Sequence, residues 1–238
     1  MNIIESERKC SNCIRLNCFI NKYCSDEWRH FLSEHKITYQ VEPGEKIFSK
    51  GDQIKGVFTV FSGFIKVYDF DGKSEWIVDL ITKENILECR SLGEPENVYS
   101  VTAESLSESE ITFFPADIFR IVLESNKEMI HFIINLLTAK LKKAEIRYKS
   151  FQKMHASGKL IYSINEIIET FGMKKEDETR LNFSLSRKDL AALSATTYET
   201  VVRILGDLDE QNHIKIQGKE IRILDLNYFA ENTKKLMT

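Results

Sequence analysis

Four of the five cysteines fall within fifteen residues, in the spacing Cys10-x2-Cys13-x4-Cys18-x5-Cys24. Thiolates are soft metal ligands and the reactive form of cysteine in redox exchange, so this crowding points to metal or redox chemistry. Residues 1–9 are polar and carry no apolar signal core, which argues against the oxidising surroundings that a disulfide framework needs. The spacing is not the doubled Cys-x2-Cys of a zinc ribbon. Zinc, thiol redox sensing and an unmetalled tail stay open together. Cys89 stands apart, as buried apolar cysteines commonly do. His30, His35, His131, His155 and His213 show no ligand spacing.

A second pair able to do chemistry is Glu199 and Arg203, spaced i, i+4 on one helical face. Alone it is a surface ion pair worth about 0.2–0.5 kcal/mol. On the second helix of a helix-turn-helix, Glu199 can accept from a cytosine N4 amine and Arg203 can reach guanine O6 and N7. The flanking residues build that setting. Residues 181–185 resemble a strand, and Ser186 can cap a helix running through Leu193. Ser194-Ala195-Thr196 makes a turn, and Thr197 can cap a second helix to about Glu210. Residues 214–216 and 220–224 pair across Gln217-Gly218-Lys219, which completes a winged helix-turn-helix. Thr196, Thr197, Ser186, Arg187, Lys215 and Lys219 are then candidate phosphate contacts, with Tyr198 beside the base edges. From His155 onward there are 12 basic and 13 acidic residues, so non-specific affinity for DNA is expected to be weak.

Other elements must position these groups. Ile130, Ile134, Leu137, Leu141, Ala144, Tyr148 and Phe151 follow at alternating steps of four and three between about 128 and 154. This heptad seam predicts a long helix facing a second copy of itself, hence a homodimer. Lys140, Lys142, Lys143, Arg147, Lys149 and Lys153 stand on the other side against a lone Glu145, and that side is expected to be wet. His155-Ala156-Ser157-Gly158 interrupts the pattern as a hinge, and 159–171 is again amphipathic. Upstream, Ser25 can cap a short helix to Glu34. Residues 37–115 form short β-rich runs between turn residues, with strands about Ser62-Gly63 and a hairpin at Asp71-Gly72. Such even spacing predicts a barrel or jelly roll. A short helix over 117–124 leads into the seam.

The expected architecture is α+β. A cysteine-containing segment with a short helix spans 1–36, a β-barrel sensor 37–126, the dimerisation helix 127–155 and the winged helix-turn-helix 156–238. At 238 residues, 42% of them hydrophobic, the chain can bury the cores of two modest domains. No apolar run approaches the ~18 residues that span a bilayer, so no membrane partner and a cytoplasmic location are expected. A net charge of −3 supplies no global basic field, so DNA binding must come from local groups. No Gly-rich phosphate loop, HExxH or nucleophile motif occurs, and an enzyme is not expected. The alternative function is a ligand-binding module that regulates a protein partner without DNA, and Arg203 discriminates: if replacing it leaves all cellular function intact, DNA reading is the wrong account.

Leu190-Ala191-Ala192-Leu193, residues 197–205 with their Glu199-Thr200-Val201-x-Arg203 core, and Leu208-Asp209-Glu210-Gln211-Asn212-His213-Ile214 resemble the CRP/FNR family of bacterial transcription regulators. Pro43-Gly44-Glu45, Gly51-Asp52, Ser62-Gly63 and Gly72 stand at that family's barrel turns, and the overall style looks closest to FNR-like regulators of anaerobic or Bacteroidetes-type bacteria. The resemblance implies a cyclic-nucleotide-binding-like jelly roll (a double-stranded β-helix), a dimer helix, binding to inverted-repeat double-stranded DNA, and RNA polymerase as a partner. It also implies that Cys10, Cys13, Cys18 and Cys24 include ligands of an oxygen-labile iron-sulfur cluster. The family's further barrel cysteine falls here at Glu110 or Ile111.

Three departures follow. Cyclic-AMP-binding members grip the phosphate with an Arg-Ser pair, but Asn97 and Val98 stand there in this chain. Cyclic AMP is therefore not the expected ligand, and Glu88, Cys89 and Arg90 are the effector-pocket candidates, with Glu88 able to accept a hydroxyl and Arg90 able to bind another anion. Ala195 replaces the usual turn glycine, at a cost of about 1–2 kcal/mol if the backbone is left-handed. The cyclic-AMP receptor also has an arginine where this chain has Tyr198, so a TGA-like half-site core is expected without an outer guanine preference.

Overall fold

The computed structural model describes the chain except residues 5–8, 14, 16, 88–97 and 238. It forms two compact units, Met1–Asp69 with Asp79–Leu141, and Phe70–Val78 with Lys142–Thr238. The effector-pocket candidates Glu88, Cys89 and Arg90, and Asn97, lie outside the described residues.

The first unit is built on short strands: β1 (Asn2–Ile4), β2 (Ile37–Val41), β3 (Lys46–Phe48), β4 (Gly56–Ser62), β5 (Phe64–Phe70), β6 (Glu75–Thr82), β7 (Thr102–Ser105) and β8 (Ser109–Pro115). They form two sheets, ordered β1-β2-β8-β4 and β3-β7-β5-β6. Strand alternation turns Val41, Val60 and Ile111 from one sheet toward Ile47, Ile65 and Val67 from the other, which makes a shared core. Ser62-Gly63 does not close a hairpin, because β4 pairs with β8 whereas β5 pairs with β7. The chain changes sheets there, with Gly63 at φ +101° and its α-carbon so close to Ser109 that an added Cβ would meet Ser109 Oγ at 1.9 Å. β1 extends the first sheet beside β2, from Asn2↔Gln40 to Ile4↔Thr38. Three residues are too few for an alternating pattern to announce a strand.

Two short helices, α1 (Phe19–Tyr23) and α2 (Asp26–His35), follow the cysteine segment. Ser25 is the N-cap residue of α2 by backbone, but its side chain makes no capping bond. α3 (Ala116–Ser125) then leads to α4 (Lys127–Lys153). Met129 and Ile133 of α4 are buried with Phe19, Ile20, Leu32 and Phe119. The seam residues Ile130, Ile134, Leu141 and Tyr148 are 39%, 53%, 62% and 68% exposed. Ala144 is exposed too, and Leu137 and Phe151 are half-buried. The opposite face is not uniformly wet, because Lys140 pairs with Asp79 at 3.0 Å and Lys143 with the buried Glu166 at 2.7 Å. Arg147 is only 16% exposed at its side chain. Their partners come from distant segments, which local charge patterning cannot reveal.

In the second unit the expected four-residue hinge reduces to Met154 and His155. α5 (Ala156–Phe171) begins at once and takes Ser157 and Gly158 into its first turn, with Gly158 buried. β9 (Met173–Lys174) and β10 (Asp177–Leu181) follow. The strand expected over 181–185 therefore ends where it was to start. Asn182 turns the chain, its side-chain amide donating to the Phe171 carbonyl at 2.8 Å and its N–H to that of Gly172 at 2.9 Å. The helix-turn-helix consists of α6 (Arg187–Ser194) and α7 (Tyr198–Glu210), and the wing of β11 (Ile214–Gln217) and β12 (Glu220–Ile223). The sheet order is β11-β12-β10-β9. A last helix, α8 (Leu226–Met237), was not anticipated. It packs on α5 and is anchored by the fully buried Phe229, a burial worth about 1.5–3 kcal/mol.

Candidate DNA-reading helix and cysteine pocket

The two caps expected for the helix-turn-helix are both made. Ser186 Oγ accepts from the Asp189 N–H at 3.0 Å, and Thr197 Oγ1 accepts from the Thr200 N–H at 3.2 Å. Between them Ala195 takes φ 48°, ψ 49°, the left-handed conformation anticipated for the turn. α7 buries Val201, Ile204, Leu205 and Leu208 and leaves Tyr198, Glu199, Val202 and Arg203 exposed on the other side. Val202 was missed by the sequence reading. It is 45% exposed, four residues after Tyr198 and outside the buried stripe. That spacing was the available signal.

Around this face the candidate phosphate contacts divide. Thr196 Oγ1 lies 2.9 Å from Ser194 Oγ, and Lys215 pairs with Asp209 at 3.3 Å. Arg187 is turned to the wing, donating to the carbonyls of Lys219 and, at 3.1 Å, Gly218. It ties α6 to the turn between β11 and β12. Lys219 itself is exposed at that turn. Arg203 is paired with Asp207 at 3.3 Å, one turn on. The wing is stiffened by Arg180, which grips Glu220 at 2.6 and 3.1 Å, and by Arg222, which reaches Asp177 at 3.0 Å. Hydrogen bonds hold the Asp177 and Glu220 carboxyls below their usual range, from Thr179 and Arg180 respectively.

In the first unit, Cys10, Cys13 and Cys18 line one cavity of about 60 Å³, together with Lys36, Glu84 and Glu110. That is room for a few water molecules. Glu110, the position where the resemblance would place a barrel cysteine, is buried on β8 and faces these thiols. Residues the sequence reading passed over hold the segment. Arg15 donates to the Phe61 carbonyl at 2.6 Å and lies 3.7 Å over the Phe61 ring. Asn21 donates to the Cys13 and Arg15 carbonyls at 2.8 and 2.9 Å. Burial pushes the Cys10 and Cys18 thiols up, with Lys36 drawing Cys10 partly back. Cys24 does not line that cavity; it is buried in the core with α4, where Cys10 and Cys18 pack against the same cluster, and it is pushed up to about 12 by burial. Among the described residues, no group of three or more His, Cys, Asp or Glu side chains is disposed to hold a metal ion. The iron-sulfur cluster implied by resemblance thus has no assembled ligand set among the described residues.

A separate cavity of about 630 Å³ in the first unit has aromatic walls, Tyr39, Phe48, Phe58, Tyr99 and Phe113. No helix among the described residues is long and apolar enough to cross a membrane.

A two-sheet jelly roll, a long helix with an exposed apolar stripe and a capped helix-turn-helix with a wing are the parts of a DNA-binding transcription regulator. A cyclic nucleotide-binding domain model matches residues 39–126, and a Crp-like helix-turn-helix domain model matches 160–231. The chain belongs to the CRP/FNR family of transcription regulators. It is 24% identical to regulatory protein HlyX of Actinobacillus pleuropneumoniae, over 87% of this chain and 88% of that protein. It is 22% identical to the anaerobic regulatory protein of Haemophilus influenzae, over 81% and 75%. The structure of FixK2 from Bradyrhizobium japonicum superposes with a TM-score of 0.71 at 14% identity, over 82% of this chain and 95% of that one.

Proposed function

We propose that this regulator acts as a homodimer on inverted-repeat DNA and reads a redox or oxygen signal through its N-terminal cysteines. The observation that carries the DNA reading is the exposed face of α7, where Tyr198, Glu199, Val202 and Arg203 stand together above a buried stripe. Glu199 and Arg203 suit a C·G and a G·C pair, and Val202 and the Tyr198 ring suit thymine methyl groups. Thr197 and Lys219 remain the phosphate candidates, whereas Ser186 donates to the Asp189 carboxylate, Arg187 holds the wing and Lys215 shares Asp209. The stripe Ile130, Ile134, Leu141 and Tyr148, exposed in the single chain, supports pairing along α4. Half-sites would then lie about 34 Å apart, one helical turn of DNA. RNA polymerase would be the downstream partner, in the cytoplasm.

What supports sensing is the way the cysteine segment packs. Phe19 and Tyr23 of α1 stack on Phe132 of α4, with ring centroids 5.2 and 5.0 Å apart, and Asn126 donates to the Tyr23 carbonyl at 2.7 Å. A change in thiol state that loosens α1 therefore acts directly on the start of the dimer helix. Cyclic AMP is not the proposed effector, since Asn97 and Val98 supply no charge for a phosphate.

The test is sequence selection from a random DNA pool by the parent and by Tyr198→Arg. The parent should return a TGA-like inverted repeat, and the variant should add guanine at the outer position. Recovery of one identical site would show that Tyr198 is not over the bases. A variant with serine at Cys10, Cys13, Cys18 and Cys24 should lose its difference in DNA binding with and without oxygen. The visible spectrum of oxygen-free protein separates a cluster from bare thiols.

A further inference from the structure

Arg147 occupies a position that its sequence context does not explain. It lies on α4 among lysines, yet within the second unit its guanidinium is turned inward and joins three elements. It donates to the Ile77 carbonyl on β6 at 3.1 Å, with Val78 O at 3.5 Å, and to the Leu193 carbonyl on α6. The ring of Phe151 stacks beneath it at 5.1 Å, and the buried carboxylate of Glu166 lies 3.9 Å away on α5.

The Leu193 carbonyl needs such a donor. Leu193 is in the last turn of α6, where carbonyls have no onward N–H; the N–H groups of Ala195 and Thr196 both turn back to the Ala191 carbonyl instead. A cation at that end also meets the negative pole of the helix. β6 is an edge strand of its sheet, so part of its backbone faces away from the ladder. A planar fork of five N–H donors can serve both at once, which the single ammonium of lysine cannot reproduce. The contact falls two residues before Ala195, the left-handed hinge of the turn that aims α7.

We propose that Arg147 is the positioning residue for DNA reading: by fastening the end of α6 to α4 and to the Ile77–Val78 edge, it sets the pose of the helix-turn-helix on the dimer helix. This rests on the dimeric, inverted-repeat reading above. A residue that sets pose governs the spacing between half-sites, while the bases read within each half-site remain those chosen by α7.

The experiment measures binding of full-length parent, Arg147→Met and Arg147→Lys to the selected inverted repeat, and to versions with the spacer one base pair longer or shorter. Sedimentation and circular dichroism accompany each protein. The expected result is that Arg147→Met, still dimeric and folded, loses roughly ten- to a hundredfold of its discrimination between spacers, the worth of charge-assisted hydrogen bonds. Base preference within each half-site should be unchanged. Arg147→Lys should fall between and serves as the reading if the methionine variant does not fold. Unchanged spacer discrimination in a folded dimeric variant overturns the proposal. Failure of the parent itself to prefer an inverted repeat would instead refute the dimeric DNA reading on which it rests.

Discussion

Arg203 and Asp207 face each other across one turn of α7 at 3.3 Å, both well exposed. The arginine expected to read guanine is thus held, in free protein, by a carboxylate that DNA must displace. Exposed i, i+4 pairs are worth only about 0.3–0.5 kcal/mol, so the restraint orients the guanidinium more than it opposes binding. Asp207→Asn should therefore raise affinity for the selected site about twofold, chiefly by removing a negative charge beside the DNA. Arg203→Ala should cost about 1–3 kcal/mol and relax preference at one base pair. Fluorescence anisotropy on single-base variants of the half-site measures both. An Arg203→Ala protein that keeps full preference at every position would exclude Arg203 from base reading.

The exposed stripe on α4 gives a stability prediction. Aspartates at Ile134 and Leu141 would set like charges face to face across a dimer seam, where unpaired buried charge is strongly destabilising. Sedimentation velocity should show the double variant as a folded monomer under conditions where the parent is a dimer. A variant that stays fully dimeric places the interface elsewhere.

Cys24 predicts a pH dependence with a definite sign. Its thiol is pushed from 9.0 to about 12 by burial, with Cys10 and Cys18 adding to the shift. A raised pKa means that the folded state favours the protonated form. The resulting stabilisation is complete below 9.0 and is lost as pH climbs toward about 12. Stability of the parent against urea should fall as pH rises above 9.0 toward about 12, and Cys24→Ala should flatten that slope. Equal slopes in the two proteins would show that the thiol is not held as described.

At Gly63 the backbone is left-handed and Ser109 fills the space a side chain would need. Gly63→Ala should cost at least about 2 kcal/mol, from backbone strain and overpacking together. Thermal unfolding reads this directly, and a melting temperature equal to the parent's would mean that the sheet crossing is looser than the geometry indicates.

Local pattern was enough to predict the helix-turn-helix, the β-rich region and the long helix. Caps at Ser186 and Thr197, turn glycines and the 3.5-residue seam are short-range signals that each residue carries in its neighbours. The four cysteines were legible as a cluster for the same reason. Tertiary structure alone decided which of them share a cavity, that Glu110 lines it, and that Cys24 is buried outside it. It also decided that Ser62-Gly63 joins two sheets, that Arg187 serves the wing, that Lys140 and Lys143 find carboxylate partners, and that Arg147 turns inward. In each of these the partner lies far along the chain. Charge and hydropathy patterns mark a side chain as able to bond but carry no record of the distant carboxylate, carbonyl or ring that folding brings beside it.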